Sequence, residues 1–119
     1  MTEFLNFLRE QIRQVHEAET TALHLLHKEG DEPGYRAGMR RRAELLAGLS
    51  ANAAPFLDAV NLTRRPMIEH RLDMFSQSAR RSLDIGSVFY MSALLYPDDH
   101  QPGQPNSLEL WLAELERSK

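Results

Sequence analysis

Apolar residues recur every three or four positions along most of this chain, and that period is the one a helix needs to bury one face. Starting from Thr2 as an N-cap, Phe4, Leu5, Leu8, Ile12, Val15, Ala22, Leu23 and Leu26 fall on a single stripe when each residue is turned by about 100°. This first helix is expected to end near Lys28 and Gly30. Glu29 to Gly34, reading EGDEPG, then has the glycine, acid and proline content of a short turn between antiparallel helices.

A second helix is expected from Pro33 to Tyr35 onward, with Tyr35, Met39, Leu45, Leu46, Leu49, Ala53, Phe56, Leu57 and Val60 on its inner side. Pro55 interrupts it without breaking the phase, and reads as a kink on the solvent side. A break into two helices over Ser50 to Pro55 is the alternative. After a turn at Asn61 to Pro66, with Thr63 as the expected N-cap, a third helix carries Ile68, Leu72, Phe75, Ala79, Leu83, Gly86, Phe89, Tyr90 and Ala93 and stops at Pro97. A loop over Asp98 to Gln104 leads to Asn106 and Glu109, which have the spacing of a capping box ahead of Leu108, Trp111, Leu112 and Leu115. The predicted fold is therefore one domain over residues 1–119: an antiparallel helical bundle of three long helices plus a short C-terminal helix. The length of 119 residues suits a single core.

Composition removes several classes of function. Without cysteine there is no thiolate nucleophile, no cysteine-bound zinc or iron–sulfur centre and no disulfide framework. A net charge of -3 argues against a surface built throughout for nucleic acid or an anionic membrane. The uncharged run Ile85 to Tyr96 is too short to span a bilayer, which takes about 20 residues. The N-terminus lacks the charged-then-apolar order of a signal peptide, so the expected location is cytoplasmic. Gly-rich phosphate loops, the Gly-x-Ser-x-Gly elbow and His-Glu-x-x-His are all missing, and no catalytic residue or cofactor is expected.

Three departures from the apolar pattern carry the functional reading. Glu19 lies about 30° from the centre of the first stripe and Arg42 about 20° from the centre of the second, so both charges point inward. Across an antiparallel turn centred near Asp31 the two stand at nearly the same height, and Ser82 of the third helix joins them. An internal polar layer of Glu19, Arg42 and Ser82 is expected, with Thr20 and Ser78 at its edge. Its structural reading is an ion pair that fixes helix register. Its functional reading is a pocket in which Arg42 holds a carboxylate or phosphate and Glu19 accepts a proton.

Histidine is the second departure. His16, His24 and His27 fall on one side of the first helix and are weak metal candidates. Their spacing lacks the i, i+4 pair of zinc helices and the paired Glu-x-x-His motifs of di-iron bundles, so no metal is expected.

Charge distribution is the third. Residues 1–32, 33–81 and 82–119 carry net charges of -4, +5 and -4, and the basic centre consists of arginine alone. Arg40 and Arg41 come level with Arg80 and Arg81, which predicts an arginine stripe for an acidic protein partner. Nucleic acid is the less favoured ligand, since no reading motif accompanies the stripe. The apolar run from Ile85 to Tyr96 exceeds what a short terminal helix can cover, so Val88, Met91 and Leu95 are expected at an interface, most simply a homodimer. The function that follows is a non-catalytic interaction, adaptor or chaperone-like protein. A ligand- or metal-binding bundle enzyme using the Glu19/Arg42 layer, and a nucleic-acid-associated protein using the arginine stripe, are the alternatives.

Overall fold

The periodicity materialises as helix, and the computed structural model describes residues 1–96, 100–101 and 103–118. Among these described residues six helices follow in order: α1 (Thr2–Lys28), α2 (Glu32–Ala47), α3 (Leu49–Leu57), α4 (Arg65–Ile85), α5 (Val88–Ala93) and α6 (Ser107–Arg117). The fold is all-α, with the helices packed against one another.

Helices α1 and α2 form an antiparallel hairpin. Asp31 caps α2 by accepting a hydrogen bond from the Gly34 amide at 2.9 Å, while Pro33 occupies the first turn, where no amide hydrogen is needed. Gly30, at φ +65°, reverses the chain in the left-handed region that glycine adopts without strain. Further along the hairpin, a Cβ placed on Gly38 would lie 2.6 Å from the Ala22 Cβ, so the two backbones approach closely where both residues are small.

The expected second helix is two. Its break falls at Gly48, ahead of the Ser50 to Pro55 span, and Pro55 sits on the exposed side within α3. Ser76 of α4 stitches this junction. Its buried hydroxyl donates to the Leu46 carbonyl and accepts from the Ser50 amide, both at 3.0 Å, so the backbone groups freed by the break are satisfied from a neighbouring helix.

The expected third helix is also two. Gly86 ends α4 in the left-handed conformation, φ +71°, with its amide bonded back to the Ser82 and Leu83 carbonyls, and the Ser87 hydroxyl then caps α5. Two smaller expectations also shift. Met1 rather than Thr2 flanks the start of α1, and α4 begins at Arg65 with Arg64, not Thr63, in the flanking position. The capping box of Asn106 and Glu109 forms as expected. The loop predicted over Asp98 to Gln104 falls partly on Asp98, Asp99 and Pro102, which lie outside the described residues.

Most of the core is one cluster. Phe4, Leu5 and Leu8 of α1 meet Leu46, Leu49 and Leu57 of α2 and α3, Leu72 of α4 and Trp111 of α6. Trp111 packs edge-on to Phe4 at 6.2 Å and against Phe75 at 5.9 Å, so the short terminal helix plugs the end of the bundle where α1 begins.

Candidate functional site

Glu19 and Arg42 meet inside the hairpin. Arg42 is fully buried, and its Nη1 donates to Glu19 Oε2 at 2.8 Å. The second guanidinium nitrogen donates to the carbonyls of Met91 and Ser92, at the end of α5. A buried cation therefore supplies the partners that the last carbonyls of a helix lack, and its charge is favourable beside the negative end of the helix dipole. Arg42 Nε is buried without a hydrogen-bond partner.

Tyr96 completes the cluster. Its hydroxyl donates to Glu19 Oε1, its ring lies 5.7 Å from the Arg42 guanidinium carbon, and its pKa is pushed up to about 12. Burial is the main cause, the hydrogen bond to and the charge of Glu19 add to it, and Arg42 opposes it. Both Glu19 oxygens thus have partners, and with its side chain 18% exposed the carboxylate keeps some access to water.

Ser82 is buried but stands apart from this cluster. Its hydroxyl donates to the Ala79 carbonyl at 2.7 Å, one turn back in its own helix. Tyr96 is not legible as a site residue in the sequence, where it falls at the uniformly apolar end of one long expected helix. A tyrosine just beyond a helix end, with one polar atom to satisfy, was the available signal.

The second region is the corner between α4 and α5. Met91 and Leu95, expected at an interface, are buried, and Val88 is half-buried. Ile85, Phe89 and Tyr90 are exposed in their place, at 62%, 75% and 52%. The cause is the break at Gly86: a continuous helix would turn Phe89 and Tyr90 inward, whereas the restart at Ser87 resets the phase and turns Met91 and Leu95 to the core. Glycine followed by serine is a stop signal followed by a start signal, and it marks the change of face. Phe89 and Tyr90 pack edge to face with ring centres 5.6 Å apart.

The four outward arginines do not form one stripe. Arg41 lines a groove between α1 and α2 that also holds Arg13 and Glu17, Arg40 lines a separate hollow with Arg36, Gly86 and Met91, and Arg81 faces the cleft between α4 and α5. Arg80 is exposed outside these three. The helices carry the arginines round the molecule because neighbours in sequence point about 100° apart. Arg40 also pairs with Glu44 at 3.6 Å, and Arg13 bridges Glu10 and Glu17, where its hydrogen bond holds the Glu10 carboxyl down to about 2.

His16, His24 and His27 are all exposed on α1. His24 Nε2 lies 3.7 Å from Glu29, and His16 Nε2 lies 3.5 Å from the Thr20 hydroxyl. Among the described residues no three histidine or acidic side chains converge as a metal site would require. Among the same residues no helix is long and apolar enough to cross a membrane. Comparison with protein-family models, curated proteins and solved structures finds no match.

Proposed function

We propose that this chain is a small non-catalytic interaction protein of the adaptor or chaperone-like kind, which pairs as a homodimer through the α4–α5 corner. The architecture behind this reading is an antiparallel bundle of α1, α2 and α4, closed by α6. The observation that carries it is the contiguous exposure of Ile85, Phe89 and Tyr90. Large apolar side chains grouped at one surface are the usual mark of a protein contact, and twofold pairing is the commonest way to cover them. Two of the three are aromatic, the class most enriched in the centres of interfaces.

The Glu19–Arg42–Tyr96 cluster fits the structural role better than a ligand-binding one. Its hydrogen bonds are spent on tying α1, α2 and the end of α5 together. The test is sedimentation equilibrium on the wild-type protein and on an Ile85→Ser/Phe89→Ser variant. A wild-type dimer and a variant monomer with an unchanged helical spectrum are expected, the dimer melting higher as its concentration rises. A wild-type protein that stays monomeric at high concentration would refute the pairing.

A further inference from the structure

We propose that a groove along α4, from Thr63 to Arg81, receives an acidic amphipathic helix from a protein partner. This rests on the interaction reading above and names the chemistry of the partner. Three hollows of about 340, 310 and 480 Å³ lie along the helix. The first and second share Arg71, and the second and third share Ser78 and Leu94, so the three adjoin along one face of the helix as a shallow channel. Its opposite wall comes from Trp111 and Leu115 of α6 and from Leu94 just after α5.

The α4 wall presents Met67, Arg71, Met74, Ser78 and Arg81, spaced alternately by four and three residues. That is the spacing with which one helix offers a seam to another. From Arg65 to Arg81 the helix rises about 24 Å at 1.5 Å per residue, and the turn residues Thr63 and Arg64 extend the wall, so a helix of about sixteen to eighteen residues matches it. Its accessible apolar surface comes from the exposed Met67 and Met74 and the half-buried Phe75 and Leu94, which call for apolar anchors at i, i+3 or i+4, and i+7 of the occupant.

Charge selects which helix fits. Arg64, Arg71 and Arg81 line the channel against one carboxylate, Glu114, in a chain whose net charge is -3. The Arg71 guanidinium lies 5.9 Å from the Phe75 ring and 5.8 Å from that of Trp111, which holds it at the channel wall. Among the described residues neither Arg71 nor Arg81 is paired with a carboxylate, so both can engage acidic side chains of a partner.

A second α4 is a poor occupant. Antiparallel pairing that sets Met67 against Ile85 brings Arg71 level with Arg81, and parallel pairing sets each arginine against itself, so like charges meet either way. The apolar lining separates this channel from a phosphate track. The third hollow shares Ile85 and Tyr90 with the dimer corner, so pairing and the partner helix compete there, and the stretch from Ser78 back to Thr63 lies outside the corner.

The test is selection of displayed helical peptides of about eighteen residues, with unbiased charge, on the immobilised whole protein. Recovered peptides are expected to be acidic, with apolar residues at i, i+3 or i+4, and i+7. Their affinity should fall about tenfold for Arg81→Glu, which removes no packing contact of the core. Selection on an Arg71→Glu/Arg81→Glu variant, checked for an unchanged helical spectrum, should return basic peptides. Recovered peptides without charge bias, or none at all, would overturn the proposal, as would displacement of the acidic peptide by an equal concentration of single-stranded oligonucleotide. A protein that dimerises yet selects no acidic helix removes the groove alone. A monomer that does select one removes the dimer and leaves the groove.

Discussion

Gly38 of α2 stands so close to Ala22 of α1 that a Cβ on the glycine would come within 2.6 Å of the alanine Cβ. The hairpin's separation is set at this point. Gly38→Ala should therefore destabilise the protein by about 1–3 kcal/mol, despite the higher helix propensity of alanine, because the clash forces a backbone shift. Adding Ala22→Gly should recover part of the loss, and urea denaturation of the two single variants and the double variant measures it.

Arg42 serves both Glu19 and the end of α5, and its removal should show both. Arg42→Met is expected to cost about 3–5 kcal/mol, since it strands Glu19 in a largely buried site and leaves the Met91 and Ser92 carbonyls without their donor. Glu19→Gln should cost less. Combined, the two changes should cost less than their sum by about 1 kcal/mol or more, which a double-mutant cycle in urea would reveal. Full recovery in the double variant would mean that the α5 carbonyls contribute nothing.

Tyr96 gives the molecule an alkaline signature. Its phenol is the neutral form up to about pH 12 in the folded chain and up to about pH 10 in an unfolded one, so the folded state holds the proton longer. The stability linked to this group is fully present below pH 10 and is lost as the pH rises from 10 to 12. Phenolate absorbance should show a component near pH 12 that disappears in Tyr96→Phe. The variant should also lose less stability than the wild type between pH 10 and 12.

Ser76 bridges two backbone groups across the break at Gly48. Ser76→Ala should cost about 1–3 kcal/mol, more than an exposed serine would, because the buried Leu46 carbonyl loses its donor. Hydrogen exchange should show the Ser50 amide opening in this variant well before the rest of α3.

Gly86 is a purely conformational position. Nothing lies within 4 Å of where its Cβ would be, so Gly86→Ala should cost only the left-handed backbone penalty, about 1–2 kcal/mol. Gly86→Asn should cost less, because asparagine tolerates that region better. Thermal melting compares the two directly.

What was legible in the sequence follows from which forces act locally. The stripes of α1, α2 and α4, the turn at Asp31 and the capping box at Asn106 depend on neighbours within a few residues, and their positions emerge within a residue or two. The pairing of Glu19 with Arg42 was legible for a related reason: two inward charges at matched heights across a short turn have little choice of partner. Less legible were the breaks. At Gly48 and Gly86 the apolar phase continues on paper; the Ser76 hydroxyl takes over the backbone partners at the first, and the left-handed turn of Gly86 followed by the Ser87 cap halts the helix at the second. The error at Gly86 carried through to the surface, exchanging Phe89 and Tyr90 for Met91 and Leu95 as the exposed residues. The arginine stripe failed because matched height along two helices says nothing of which way the side chains face round them.

A helix of six residues does not persist on its own in water, since its few internal hydrogen bonds cannot offset the cost of nucleation. Helix α5 is held by Ser87 at one end and by a buried guanidinium from α2 at the other. The outward rings of Phe89 and Tyr90 are thus a conditional surface, presented only while the hairpin beneath them stays locked. A lesion at residue 19 or 42 would unseat both rings without touching either of them.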